Sequence, residues 1–162
     1  MRAILFSPLL LALAAAPAFA APAQVTVTIG PKLQKEAVEH LGVREVDRLA
    51  DDLKRSVERE LGRTGVLDGA RIELVLTDAK PNRPTFKQMA DKPGLSFESF
   101  GLGGASIEGK AIAVDGAVTP LKYQWYESDI RWARERVTWG DADTAFGQFA
   151  RRLARGETYA SR

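Results

Sequence analysis

The sequence predicts an α+β domain in which a mixed sheet of about four strands carries two main helices, ending at Leu61 and Leu153. Two stretches show apolar residues at intervals of three and four, the spacing of an amphipathic helix. Other stretches alternate apolar with polar residues, which is the period of a half-buried strand. A strand, helix and strand in succession favour a parallel pair, and a later Asp115-Gly116 turn favours a hairpin, so the sheet should be mixed.

The first half of the domain contains a strand and the longer helix. Val25 to Ile29 alternates apolar residues with threonine, and Gly30-Pro31 ends this strand. Lys32 to Leu41 is compatible with a short helical turn. The next apolar stripe predicts a helix that Gly62 ends: Val46, Leu49, Ala50, Leu53, Val57 and Leu61. The opposite face of this helix mixes both signs of charge and should be solvated.

A second strand is predicted over Ile72 to Thr77, and a long irregular segment follows it. Several prolines and Gly94 punctuate residues 79–100, which therefore cannot hold a long element. The segment nevertheless contains five large apolar residues, Phe86, Met89, Leu95, Phe97 and Phe100. These either cover an open edge or face of the sheet or form a lid or partner-binding loop.

A hairpin and a second long helix complete the expected domain. Residues 105–114 and 118–127 form the hairpin, with Leu121, Tyr123 and Trp125 facing the core and Pro120 indicating an edge or a bulge. Residues 128–140 are compatible with either helix or strand. The final helix has Asp141 as its N-cap, a stripe that reaches Leu153, and an end at Gly156, after which the tail should fray.

The first twenty residues have the pattern of a secretory signal peptide. A cationic Met1-Arg2 start precedes an apolar run and the small-residue site Ala18-Phe19-Ala20, so cleavage should leave a domain of residues 21–162. The sequence contains no cysteine, so we expect neither a lipid anchor on the mature chain nor a disulfide framework. Retention of the apolar run as an N-terminal anchor is the alternative. The expected location is the periplasm, without stable insertion in the membrane after cleavage.

Charge and motifs argue against several kinds of chemistry. The sequence has 23 basic and 21 acidic residues, a balance that does not favour nucleic-acid binding. Residues 104–110 match the spacing of a phosphate-binding loop up to Lys110, but Ala111 replaces the hydroxyl residue and a strand replaces the helix. His40 is the one histidine, which leaves too few ligands for a usual zinc site. We therefore expect no cofactor and no bound metal.

One segment combines aromatic and cationic residues. All three tryptophans of the chain lie within seventeen residues that also contain two tyrosines and three arginines. Such a combination suits glycan stacking or a protein partner. The residues predicted to form the surface are Tyr126, Arg131, Trp132, Arg134 and Arg136. The alternative is that Trp125 and Trp139 belong to the core, while Trp132 packs on the last helix with the arginine stems along it.

Parts of the second half resemble known groups of proteins. Three runs carry the likeness: residues 97–105 (FESFGLGGA), residues 123–131 (YQWYESDIR) and residues 138–142 (TWGDA). Together they resemble exported proteobacterial proteins of unknown function, over about a third of the chain. The glycine-rich approach to a hairpin followed by a helix is more loosely similar to small α+β domains of outer-membrane lipoproteins, whose lipid-bearing cysteine this chain lacks. The resemblance implies a Gram-negative envelope and supplies no catalytic residues.

The expected function is a periplasmic binding or interaction module whose partner is an envelope protein or a glycan, with no catalysis. A secreted carbohydrate-active hydrolase is the alternative from a different class, and it would use a pair among the loop carboxylates Asp78, Asp91, Glu98, Glu127 and Asp129. A third hypothesis is an assembly subunit that pairs through the exposed edge of its hairpin.

Overall fold

The fold is α+β with a mixed sheet, as the sequence predicts. The computed structural model describes residues 21–157 and the backbone of 159–161, so the predicted signal peptide lies outside the described residues. In chain order the elements are β1 (Gln24–Ile29), α1 (Pro31–Glu36), a π-helical turn (Ala37–Leu41), α2 (Val43–Thr64), β2 (Arg71–Lys80), α3 (Phe86–Asp91), β3 (Gly104–Ile112), β4 (Val118–Tyr126), α4 (Ile130–Ala133), α5 (Gly140–Leu153) and β5 (Tyr159–Ser161).

The five strands lie in the sheet in chain order, from β1 at one edge to β5 at the other. The β1–β2 pair is parallel, with Val27 opposite Leu74, and α2 lies in the connection between them. The β2–β3 and β3–β4 pairs are antiparallel. The last strand lies in the tail that the sequence predicts to fray, and it runs parallel to β4 beside residues 122–124. The predicted β-α-β unit and the hairpin are therefore both present.

The two long helices cover one face of the sheet. The predicted stripe of α2 is buried at Val46, Leu49, Leu53, Val57 and Leu61. The stripe of α5 is buried as well, and its residues are Ala142, Ala145, Phe146, Phe149, Ala150 and Leu153. Both stripes belong to one core with the inward residues of the sheet, which include the predicted Leu121 and Tyr123. Removal of this apolar surface from water is the main force that stabilises the fold.

The other face of the sheet is polar and open. Thr26, Glu108, Lys110 and Lys122 alternate with the core residues of their strands, as the period of two requires. Lys110 lies 3.1 Å from Glu73, and Lys122 lies 2.9 Å from Glu108, so charges of opposite sign face each other across neighbouring strands. This face resembles an ordinary solvated sheet surface.

The predicted end of α2 at Gly62 is wrong by three residues. The helix continues to Thr64, and Gly65 is its C-cap, with φ of 68° and an N–H that donates to the carbonyl of Leu61 at 2.8 Å. A left-handed backbone conformation at the end of a helix is easiest for glycine. Gly62 lies inside the helix, with no atom within 4 Å of the position that a Cβ would take.

The predicted role of Asp141 as the N-cap of the last helix is also wrong. Trp139 occupies the N-cap position, and no side chain caps this helix start. Asp141 lies one residue inside the helix and is 0% exposed, and its carboxylate accepts hydrogen bonds from Asn82 and from the backbone of Gly103. A tertiary partner has therefore replaced the local capping bond that the sequence pattern suggests.

The two irregular segments each contain one short helix. In residues 79–100, α3 begins with a capping box, because Thr85 accepts from the N–H of Gln88 and the Gln88 side chain accepts from the N–H of Thr85. In residues 128–140, which the sequence leaves open between helix and strand, α4 is the regular element. Across residues 21–157, no helix is both long and apolar enough to span a membrane.

Candidate binding surface

The predicted aromatic-arginine residues divide into an exposed group and a structural group. Trp132 is 61% exposed on α4, which favours the surface over the alternative in which it packs against the last helix. Arg131 and Arg134 are exposed as well, and Arg131 pairs with Asp129 at its own helix start. Hydrogen bonds from Arg131 lower the pKa of Asp129. Trp125 and Trp139 are half-buried against the core, as that alternative expects.

Tyr126 and Arg136 have partners inside the molecule. The hydroxyl of Tyr126 donates to Asp78, and the ammonium of Lys80 lies 5.1 Å from the centre of the Tyr126 ring. Burial and this bond both raise the pKa of Tyr126. The Nε of Arg136 lies 3.2 Å from Oδ1 of Asp141. Both side chains therefore have partners within the protein and are less available to a binding partner than Trp132 or Arg134.

A buried pair joins the two irregular segments. Asn82, which is 1% exposed, accepts from the N–H of Asp141 at 2.8 Å and donates to its carboxylate. The backbone of Asn82 donates to the carbonyl of Thr138 at 2.7 Å and accepts from the N–H of Gly101 at 2.7 Å. Buried hydrogen bonds of this kind rigidify the backbone around them, although Oδ1 of Asp141 accepts no hydrogen bond and has only the ion pair with Arg136. Residues around 82, 101 and 138 are thereby fixed relative to α5.

Arg83 forms the second connection between the segments. Its guanidinium donates to three backbone carbonyls, those of Phe97, Arg134 and Arg136, the last at 2.7 Å. Five donors in a planar group allow arginine to hold several acceptors at once. One side chain, three residues after the end of β2, therefore fixes the segment that contains Phe97 against the segment that contains α4.

The exposed apolar side chains of the molecule gather on these two segments. Of the eleven large hydrophobic residues that are exposed in the described part of the chain, six lie there, and a seventh, Leu102, lies two residues after the first segment. We call these seven the loop surface: Phe86, Phe97, Phe100, Leu102, Ile130, Trp132 and Val137. Scattered exposed apolar residues are ordinary, but a concentration on connected loops is typical of an interaction site.

A groove of about 320 Å³ lies within the loop surface. Phe86, at the first position of α3, is 73% exposed and meets Phe97 edge to face, with ring centres 5.6 Å apart. Val137 and Trp139 line the groove from the other segment. We call this feature the Phe86–Phe97 groove. Its aromatic walls come from parts of the chain that Arg83 holds together.

Three carboxylates from two helices also line the groove. Glu45 and Asp52 come from α2 and Asp143 comes from α5, and Arg48 is a cation of the same lining. The indole Nε1 of Trp139 donates to Glu45 at 2.7 Å, and Arg55 pairs with Asp52. Partial removal from water, with the negative charge of Asp52, raises the pKa of Asp143. The groove is therefore apolar on its walls and negative along one side.

The carboxylates predicted for a hydrolase lie elsewhere, and four of the five have partners of their own. Asp78 accepts from Tyr126, Asp91 pairs with Lys87 at 2.8 Å, Asp129 pairs with Arg131, and Glu127 accepts from the backbone of residues 128 and 129. Glu98 is exposed on its loop. His40 is exposed beside Glu39, and residues 104–110 form part of β3.

The sequence does not indicate the groove. Its acidic residues belong to the charged faces of two helices, and only the fold brings Asp52 and Asp143 to one place. The apolar residues of segment 79–100 were the available signal, because they are too numerous for a solvated loop. Three of them, Phe86, Phe97 and Phe100, are exposed.

Comparisons with known proteins add no family. No protein-family model matches the chain, and no curated protein is significantly similar to it. Within the described residues, no group of three or more histidine, cysteine or acidic side chains is arranged to hold a metal ion. The candidate site is therefore defined by its own geometry, as a rigid pair of loops that presents aromatic and aliphatic side chains.

Proposed function

We propose that this protein is a periplasmic binding module of the cell envelope, without catalysis of its own, and that the loop surface is where its partner binds. The observation that carries the proposal is the gathering of exposed apolar side chains on two segments that Arg83 and the Asn82–Asp141 pair hold in one arrangement. Binding residues are commonly placed on loops that a rigid scaffold positions.

Trp132, which belongs to the loop surface, and Arg134, two residues after it, are the residues that best suit direct contact with a partner. Trp132 exposes most of its ring, and the side chain of Arg134 is exposed on the same short segment. Tryptophan and arginine contribute more than other residues to binding energy at protein interfaces. The backbone of this segment is fixed from within the protein, because the carbonyl of Arg134 accepts a hydrogen bond from the guanidinium of Arg83.

Export to the periplasm is the second part of the proposal. Support comes from the cationic start, the apolar run and the Ala18-Phe19-Ala20 site of the first twenty residues. Cell fractionation followed by mass spectrometry of the protein's N-terminal peptide tests it. We expect a chain that begins at Ala21 in the periplasmic fraction. Full-length chain confined to the cytosol would contradict this part of the proposal.

Chemical cross-linking in intact cells tests the binding role. A double variant, Trp132→Ala with Arg134→Ala, should lose the cross-linked envelope partner that the unaltered protein captures, while its urea unfolding midpoint stays nearly unchanged. The matched control is Lys122→Ala with Gln124→Ala, two exposed residues on the open face of the sheet. Capture that survives in the first variant, or that disappears equally in both, would contradict the assignment of the surface. Loss of folding would place Trp132 and Arg134 in the structural framework.

A further inference from the structure

The charges around the Phe86–Phe97 groove are not balanced within the molecule. Three carboxylates, Glu45, Asp52 and Asp143, line it with one guanidinium, that of Arg48. Arg55 pairs with Asp52 from outside the lining. Asp143 has no ion-pair partner among the residues that the structure describes. The groove therefore has a negative side beside exposed aromatic rings.

Resting on the proposed function, we propose that the Phe86–Phe97 groove takes an arginine or lysine side chain from an extended segment of a protein partner, with the neighbouring apolar side chain of that segment on Phe86. The chemistry of the lining fits such a side chain in both of its parts. The aliphatic stem of arginine packs on apolar surface while its charged end stays near polar groups. In the groove, Phe86, Phe97 and Val137 offer the apolar surface, and Asp143, whose carboxylate has no ion pair within the described residues, offers the polar group.

Arginine suits the groove for a further physical reason. A guanidinium stacks on aromatic faces and also pairs with carboxylates, and the groove supplies rings and carboxylates within one space of about 320 Å³. A neutral glycan would stack on the same rings, but it would leave the negative charge of the groove uncompensated. The charge complementarity therefore favours a cationic segment of protein over a sugar.

The state of Asp143 in the free protein agrees with this assignment. Asp143 is exposed as a residue, but the part of its carboxyl that is shielded from water and the negative charge of Asp52 raise its pKa, so its ionised form is disfavoured. A cation seated beside Asp143 would reduce that penalty on binding. Groups that destabilise the free protein and are compensated by a ligand are frequent at binding sites.

Peptide binding measured by isothermal titration calorimetry tests the inference with the purified mature chain. The probe is a short acetylated peptide amide that alternates leucine with arginine, and its matched control carries citrulline, which has the shape of arginine without the charge. We expect saturable binding of the arginine peptide that is about tenfold tighter than that of the citrulline peptide. Equal affinities, or no saturable binding of the arginine peptide at millimolar concentration, would overturn the inference.

Two matched variants locate the effect in the groove. Asp143→Asn should remove most of the preference for arginine over citrulline. Asp51→Asn, which changes an exposed aspartate beside Asp52 but outside the groove lining, should leave the preference intact. A preference that both variants retain, or that both lose equally, would overturn the inference. So would tighter binding of a neutral oligosaccharide, such as chitohexaose, that competes with the peptide at the groove.

The failure of this inference can be distinguished from the failure of the proposed function. If the function is right and the groove assignment is wrong, cross-linking in cells still depends on Trp132 and Arg134, whereas Asp143→Asn changes neither capture nor peptide preference. If the function itself is wrong, the Trp132 and Arg134 variant captures the same material as the unaltered protein, whatever the peptide result.

Discussion

Asn82 and Asp141, which are 59 positions apart in the chain, bond to each other twice in the interior of the protein. The N–H of Asp141 donates to Oδ1 of Asn82 at 2.8 Å, and Nδ2 of Asn82 donates to the carboxylate of Asp141. The same carboxylate accepts from the N–H of Gly103 at 3.1 Å. This pair connects the end of β2, the start of β3 and the start of α5, and the loop surface is built around it.

Replacement of Asn82 should therefore be costly. In Asn82→Ala the Asp141 N–H and one of its carboxylate bonds lose their partners inside a closed interior, and unsatisfied buried groups of this kind destabilise a protein by about 2–4 kcal/mol. Urea unfolding measures the loss. Gln124→Ala, an amide truncation on the exposed sheet face, is the control and should change the free energy of unfolding by less than about 0.5 kcal/mol. A similar small change in both variants would show that the pair is not structurally important.

Substitution of Arg83 should loosen the two segments more than the core. A lysine ammonium at the end of a flexible stem cannot reproduce the planar arrangement that reaches the carbonyls of Phe97, Arg134 and Arg136. In Arg83→Lys we expect faster amide hydrogen exchange across residues 95–101 and 130–137, while exchange in β2 and β3 stays slow. Arg59→Lys, on the exposed face of α2, should leave exchange unchanged in every segment. Unaltered exchange in Arg83→Lys would contradict the bracing role of Arg83.

Two glycines near the end of α2 should respond to alanine substitution with opposite changes in the free energy of unfolding. Gly62→Ala should stabilise the protein by about 0.5–1 kcal/mol, because alanine favours a helix interior and no atom lies within 4 Å of the new Cβ. Gly65→Ala should destabilise it by about 1 kcal/mol, because φ of 68° disfavours any residue with a Cβ. Thermal unfolding of both variants checks the pair. Destabilisation by Gly62→Ala would contradict the observed helix end.

Asp143→Asn should stabilise the folded protein near neutral pH. The raised pKa of Asp143 means that the folded state holds this proton more tightly than the unfolded chain does, so ionisation of Asp143 costs stability above that pKa. The cost fades as the pH falls below the ordinary range of aspartate, where both states are protonated. Unfolding curves for the variant and the unaltered protein should therefore differ at about pH 7 and converge at about pH 3. A difference that grows towards low pH would contradict this sign.

The regular elements were predictable because their periods are consequences of backbone geometry. The stripe on α2 follows from the 3.6 residues per turn of a helix, and the alternation in β2 follows from the two-residue repeat of a strand. The buried residues of both elements show these periods. Local rules failed where two residues competed for one role. Gly62 and Gly65 both suit a helix end, and the backbone used the second. Asp141 suits an N-cap, but Asn82 offered it a buried partner from a distant part of the chain.

The candidate site was predictable only in part. The unusual density of tryptophan and arginine pointed to Trp132 and Arg134, which are exposed. No local pattern could show that Tyr126 bonds to Asp78 or that Arg136 pairs with Asp141. The aromatic walls of the groove, Phe86 and Phe97, were visible as apolar residues in an irregular segment. These two rings lie near carboxylates of two helices only because elements far apart in sequence make contact. The periodicity of a single sequence carries no information about such contacts.

Site-specific photo-cross-linking in intact cells shows whether the loop surface contacts an envelope partner. The photoreactive residue p-benzoylphenylalanine is placed at position 132 in one strain and at position 122, on the open face of the sheet, in another. We expect a discrete adduct with one envelope component from position 132 and none from position 122. Absence of an adduct from position 132, or the same set of adducts from both positions, would contradict the claim.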